Sequence, residues 1–83
     1  MYKEIILDTR ELEAPEPMEK VMDTLPSLDK TNYIKMIHRI EPRMLYDHLE
    51  QNDFKYKTVQ NEDGFYIYIC KNSFADISFF EGL

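Results

Sequence analysis

A short apolar stretch followed by a proline and then by apolar residues at helical spacing occurs twice in this chain. This repeat constrains the fold more than any other feature of the sequence. Proline lacks an N–H group and fixes φ, so it is tolerated in the first turn of a helix but not in its interior. The repeat predicts a strand at residues 2–8, a helix at 15–26, a strand at 32–38 and a helix at 42–52. Each helix needs a sheet against which to bury its apolar side.

The remainder of the chain up to residue 71 predicts a β-hairpin. Apolar and aromatic residues dominate two stretches, 54–60 and 65–71, and the turn between them ends in Asp63-Gly64, which supplies a residue with positive φ. The order is therefore β-α-β-α-β-β. Right-handed crossovers then place both helices on one face of a mixed four-stranded sheet, which is a two-layer α/β sandwich.

The spacing of apolar residues predicts which side chains face the interior. In the helices they repeat at helical spacing. They are Met18, Val21, Met22 and Leu25 in the first helix, and Met44, Leu45 and Leu49 in the second. In the second strand, Ile34 and Met36 alternate toward the core and His38 points toward the helical layer, whereas Lys35 marks the more solvated face.

The end of the chain predicts a cover for the sheet face that carries no helices. The stretch 72–83 contains large apolar side chains without a clear period, namely Phe74, Ile77, Phe79, Phe80 and Leu83. We expect a domain at 1–71 and a tail at 72–83 that folds back on the sheet or docks on a partner subunit, because such side chains are disfavoured in water. A frayed terminus is the alternative.

Composition and charge exclude several classes of function. A chain of 83 residues forms one small domain, in which a deep internal active site is not expected. The net charge is −6 and the basic residues are scattered, so nucleic acid and anionic membranes are not expected partners. No apolar run approaches the roughly 20 residues needed to span a bilayer. The N-terminus lacks the apolar region of a signal peptide, and we expect a cytoplasmic protein.

The start of the first helix resembles the signature of the TusA/SirA-like sulfur-carrier family. In that family an aspartate and a leucine precede Cys-Pro-Glu-Pro, and this chain has Asp8, Leu12 and Ala14-Pro15-Glu16-Pro17 at the same spacing. The resemblance extends over about residues 3–71 and implies a sheet in the order 1-2-4-3. Ala14 stands where the family has its nucleophilic cysteine, so sulfur transfer through this position is chemically impossible.

A closer resemblance is to an uncharacterised bacterial family of TusA-like domains that lack the cysteine. These domains keep the proline-rich helix start and a His-Arg-x-x-Pro element after the second strand, which is His38 to Pro42 here. Members stand alone or are fused to hemerythrin-like and cupin-like modules. The resemblance implies a role near metal, oxygen or nitrogen-oxide chemistry, although a fold does not fix a function.

Ligands of open α/β sheets bind beyond the carboxyl ends of parallel strands, close to helix N-termini. The predicted ligand-binding residues at this end are Asp8, Arg10, Ala14, Glu16, His38, Arg39 and Glu41, and Glu13 is expected to lie beside them. Arg10 and Arg39, together with the two helix dipoles, would hold a small anion or carboxylate. The alternative is that both arginines pair with the neighbouring acidic side chains.

His38 is the candidate for a metal or haem ligand, since a neutral imidazole at a strand end can coordinate iron or another metal. His48 and Glu41 are the side chains that would supplement it, and a hydrogen-bonded structural histidine is the alternative. No other cofactor is expected. The single cysteine, Cys70, is interpreted as a small apolar strand residue, with residual sulfur transfer as the competing hypothesis.

The sequence contains no serine or cysteine nucleophile beside a histidine and no glycine-rich phosphate loop. We therefore predict a non-catalytic binding or adaptor module that binds a small ligand or a protein partner at the helix-start end. The expected partner is another protein or a second copy in a homodimer. The competing hypothesis is a metal- or haem-associated protein of nitrogen-oxide or oxygen metabolism that uses His38.

Overall fold

The computed structural model describes residues 3–71, in which four strands and two α-helices follow in the predicted order. They are β1 (Lys3–Asp8), α1 (Glu16–Thr24), β2 (Asn32–His38), α2 (Arg43–Gln51), β3 (Phe54–Asn61) and β4 (Gly64–Lys71). A 3₁₀ turn at Leu25–Ser27, which was not predicted, extends α1. No helix in this part of the chain is long and apolar enough to cross a membrane. The predicted tail at 72–83 lies outside the described residues.

The strands form one mixed sheet in the order β1-β2-β4-β3, which is the order that the family resemblance implied. β1 runs parallel to β2, whereas β4 is antiparallel to both of its neighbours. The carboxyl ends of β1 and β2 therefore meet at the same edge, where Asp8 is in register with Ile37. This confirms the predicted two-layer α/β fold.

The core lies between the two helices and one face of the sheet. Its fully buried sheet residues are Ile34 and Met36 of β2 and Ile67 and Ile69 of β4, and its helical residues are Val21, Leu45 and Leu49. Ile34 is in register with Ile69, and Met36 with Ile67, so these side chains form one continuous apolar surface. The predicted inward set is correct for β2.

Met44 is the exception among the predicted core residues, because its side chain is 73% exposed. Leu45 and Leu49 lie four residues apart and share the face of α2 that meets the sheet. Successive residues of an α-helix are rotated by about 100°, so Met44 cannot share that face with Leu45. The prediction that Met44 is a core residue is therefore wrong.

The opposite sheet face carries Tyr33 and Lys35 of β2 and Tyr66 and Tyr68 of β4, and we call it the tyrosine face. The Lys35 ammonium lies 4.6 Å from the centre of the Tyr66 ring. Cys70 lies on the same side of β4 and is buried, and this burial raises the pKa of its thiol to about 11. A buried, weakly acidic thiol fits the interpretation of Cys70 as a small apolar strand residue.

Candidate functional site

A groove of about 850 Å³ lies between the starts of the two helices, and we call it the helix-start groove. Most of its wall is apolar: Leu12, Ala14, Pro15, Pro17, Met18, Met36, Ile40, Pro42, Met44, Leu45 and Phe65. Its polar lining residues are Glu13, His38, Arg39, Glu41 and Arg43. Its volume lies within the range typical of small-molecule sites, which are mostly apolar with a few polar groups.

The two prolines explain why the groove forms at this edge. Pro15 is the N-cap of α1, and Pro42 is the N-cap of α2. Helical conformation is disfavoured for a residue that precedes proline, so Ala14 and Glu41 stay outside the helices. Each helix therefore begins only after a loop, and residues of both loops line the groove.

The half-buried His38 ring is held in one orientation by Thr9. Its Nδ1 lies 3.1 Å from the carbonyl oxygen and 3.0 Å from Oγ1 of Thr9, and that hydroxyl donates to the carbonyl oxygen of Ile37 at 2.9 Å. A carbonyl oxygen only accepts, so Nδ1 of the neutral ring carries the proton. Nε2 is then an acceptor, and no group of residues 3–71 hydrogen-bonds it.

Arg10 and Asp8 form a two-pronged ion pair beside the groove rather than within it. Arg10 donates through Nε at 2.9 Å and through Nη2 at 2.7 Å to the two carboxylate oxygens of Asp8. The hydrogen bonds from the Arg10 side chain and backbone lower the pKa of Asp8 to about 2, and the carboxylate raises the pKa of Arg10. For Arg10, the predicted alternative of pairing with a neighbouring acid is the observed one.

A second groove, of about 670 Å³, adjoins the first and is lined by Asp8, Arg10, Glu11, Leu12, Lys20 and Arg39. Leu12 and Arg39 line both grooves, so they form the boundary between them. Arg39 donates through Nη2 to the carbonyl oxygen of Leu12 at 3.3 Å. The Arg39 guanidinium is thus held at the junction by a neutral acceptor.

Glu41 is fixed by its own neighbours. Its carboxylate accepts hydrogen bonds from Arg43 Nε at 3.1 Å and from the Tyr46 hydroxyl at 3.2 Å. That hydroxyl also lies 2.5 Å from Thr58 Oγ1, and the Tyr46 ring stacks on Tyr56 with 4.4 Å between ring centres. Burial raises the pKa of Tyr46. Contacts of Tyr46 therefore connect the α2 side of the groove to β3.

The predicted ligand-binding residues divide among three environments. Ala14, His38 and Glu41 line the helix-start groove, as does the neighbouring Glu13. Arg39 lines both grooves, Asp8 and Arg10 line only the second, and the exposed Glu16 lines neither. His48 is exposed in the last turn of α2 and does not line either groove. Within residues 3–71 no group of three or more metal-ligating side chains occurs.

Sequence reasoning missed several residues of the site. Thr9 lies between the first predicted strand and the first predicted helix, and its full burial follows from the parallel pairing of β1 with β2. Phe65 enters the groove because it is in register with His38. Ile40 and Met44 are 65% and 73% exposed at the groove. The signal available for Ile40 was an apolar residue in an otherwise charged loop.

Fold and site together define a small α/β domain with an apolar groove at the carboxyl ends of its parallel strands. The chain belongs to the DUF2249 family, whose model, described as an uncharacterized conserved protein, matches residues 6–70. Neither the curated proteins nor the solved structures contain a match to the chain. The family is an uncharacterised one, and its description names no reaction.

Proposed function

We propose that this domain is a non-catalytic binding or adaptor module on a sulfur-carrier-like scaffold. Its helix-start groove receives the apolar part of a small ligand or of a partner protein. The observation that carries the proposal is the groove itself, which combines an apolar wall with the fixed imidazole of His38. Grooves of this kind are the default binding sites of small domains.

The exposed apolar side chains at the groove support this proposal. Ile40 and Met44 belong to the loop before α2 and to its first turn, and both are largely in water. Complete burial of one such side chain contributes roughly 1.5–3 kcal/mol, so a bound ligand gains from covering them. A single exposed apolar residue is common, but two beside an apolar groove indicate a contact surface.

The position of Ala14 supports binding rather than sulfur transfer. Ala14 is exposed, precedes α1 and lines the groove, where the resembled sulfur carriers have their cysteine. Its methyl group is no nucleophile. Cys70 lies on the tyrosine face of β4, and its raised pKa of about 11 leaves little thiolate at neutral pH. Neither residue therefore supplies the reactive sulfur that a carrier needs.

Titration with decan-1-ol, a neutral apolar probe, followed by ¹H–¹⁵N correlation spectra tests this proposal. We expect saturable shifts at the amides of Ala14, His38 and Phe65. Met44→Glu places a charge at the groove and is expected to weaken binding about tenfold or more, because the apolar contact of the methionine is lost.

Ile6→Glu is the matched control for this experiment. Ile6 is also a large exposed apolar residue, at 57%, but it pairs with Lys35 on the tyrosine face. It should leave the affinity for decan-1-ol unchanged. Saturable shifts that map to the tyrosine face, or equal effects of both substitutions, would contradict the assignment of the groove as the binding site.

A second candidate function is haem association, and the contacts of His38 favour it. Histidines that coordinate a metal usually donate their other ring N–H to a carbonyl or carboxylate, which fixes the tautomer. The Nδ1–H group of His38 is bound to the Thr9 carbonyl in this manner, which leaves Nε2 for a ligand. One axial histidine suffices for haem, whereas a zinc site needs three or four ligands.

Haemin titration separates this candidate from nonspecific adsorption. Specific binding predicts a Soret shift that saturates at one haemin per chain and is lost in His38→Ala. His48→Ala is the matched control, because His48 is exposed and lies outside both grooves. If both variants bind haemin as the parent does, His38 is a structural histidine and this candidate is excluded.

A further inference from the structure

The two adjoining grooves differ in chemistry, and this difference restricts the kind of ligand that fits them. The helix-start groove is mostly apolar, whereas five of the six residues that line the second groove are charged. Because Leu12 and Arg39 line both, a ligand that passes between the grooves crosses these two residues. Such a ligand needs an apolar body and a polar end.

The charged residues of the second groove indicate the sign of the charge on the polar end of the ligand. Its lining contains three cationic side chains against the two carboxylates of Asp8 and Glu11, although the whole chain has a net charge of −6. Arg10 is already neutralised by its two-pronged pair with Asp8. The ion pairs within residues 3–71 leave Arg39 and Lys20 without a carboxylate partner.

Arg39 lies at the boundary between the two grooves, where its guanidinium can bind an anion. Its contact with the Leu12 carbonyl uses one guanidinium nitrogen at 3.3 Å, and the remaining N–H groups have no acceptor among the described residues. A guanidinium presents a planar fork of donors that matches the two oxygens of a carboxylate. Lys20 of α1 adds a second positive charge to the same groove.

We infer that the ligand is an amphiphilic carboxylate, with its apolar body in the helix-start groove and its carboxylate on Arg39 and Lys20. This inference rests on the proposed binding function and specifies its ligand. A single negative charge is favoured over a multiply charged phosphate ester, because Asp8 and Glu11 share the second groove and repel additional charge.

Paired titrations with decanoate and decan-1-ol, both kept below their aggregation limits, test the inference by isothermal calorimetry and NMR. The probes share one apolar body and differ in the charged end. We expect decanoate to bind more tightly than decan-1-ol. Added salt should weaken the binding of decanoate but not that of decan-1-ol, because only decanoate makes an electrostatic contact. Arg39→Gln and Lys20→Gln should each weaken decanoate binding about two- to fivefold, the range for partly exposed ion pairs.

Lys30→Gln is the matched control, since Lys30 is an exposed lysine in the turn before β2, at the opposite end of that strand from His38. It should leave the affinity of both probes unchanged. Equal affinity of the two probes, with no effect of Arg39→Gln, would overturn the carboxylate inference and leave the groove proposal intact. Absence of binding by both probes would overturn the two together.

Discussion

Thr9→Val removes the hydroxyl that connects the ends of the two parallel strands. Thr9 is the one fully buried polar side chain among residues 3–71, and its Oγ1 donates to the Ile37 carbonyl at 2.9 Å. That carbonyl also accepts the Thr9 backbone N–H at 2.9 Å, so it keeps a partner in the variant. We therefore expect the loss of one hydrogen bond without an orphaned acceptor, about 1 kcal/mol in the free energy of unfolding.

His38 should keep its tautomer in this variant, because the Thr9 carbonyl oxygen remains 3.1 Å from Nδ1. Chemical denaturation measures the stability, and a long-range ¹H–¹⁵N spectrum reports which ring nitrogen carries the proton. For a domain of this size, a loss of about 1 kcal/mol lowers the melting temperature by roughly 4–8 °C.

Thr24→Val is the control, since the Thr24 hydroxyl also donates to a backbone carbonyl, that of Lys20 at 2.8 Å, but in an exposed bond within α1. Such a bond contributes little, and the change should stay within about 0.5 kcal/mol. The reasoning is refuted if the two variants are equally stable, or if Thr9→Val moves the proton of His38 to Nε2.

Three further substitutions or treatments give distinct results. Arg10→Ala should raise the pKa of Asp8 from about 2 toward 3.8 in a carboxyl NMR titration. The pKa of Asp8 is lower in the folded chain than in the unfolded chain, so its ion pair stabilises the fold above the unfolded pKa. This stabilisation is lost as the pH falls through the folded pKa, and the stability of the variant should therefore fall less steeply than that of the parent between about pH 4 and 2. An unchanged pKa of Asp8 would contradict the ion pair. Cys70 should react with iodoacetamide about tenfold or more slower than a thiol at the ordinary value of 9.0, because its raised pKa of about 11 lowers the thiolate fraction by more than the higher nucleophilicity of that thiolate restores. A rate equal to that of the unfolded chain would contradict its burial. Gly64→Ala should destabilise by about 1–3 kcal/mol in urea unfolding, because φ is +133° and the added Cβ overlaps the His38 carbonyl oxygen; unchanged stability would contradict this turn geometry.

The fold was predictable because its signals are local. The prolines set where both helices begin, and Asp63-Gly64 sets the hairpin turn, so the element order follows from short stretches of sequence. The 3₁₀ turn at Leu25–Ser27 was not predictable from Pro26, because it depends on the burial of Leu25 and Leu28 in the tertiary core. The exposure of Met44 depends likewise on how α2 is rotated against the sheet.

The site was predictable only where it follows from strand direction. Ala14, His38 and Arg39 were expected near one edge because β1 and β2 were expected to be parallel, and all three line the same groove. Phe65 was not expected there, since its place depends on the register between β2 and β4. The burial of Thr9 needs the same knowledge of pairing, which a single sequence does not contain.

The two arginines show why the competing interpretations of the charged residues could not be separated from the sequence. Arg10 lies two residues from Asp8, and it takes both carboxylate oxygens and the backbone contact of that short turn. Arg39 lies two residues from Glu41, but Glu41 is occupied by Arg43 and Tyr46. Equal sequence spacing thus gives one neutralised cation and one that lacks a carboxylate within the described residues. Substitution of Arg10 should therefore change how the stability of the fold depends on pH in acid, whereas substitution of Arg39 should weaken the binding of an anionic ligand.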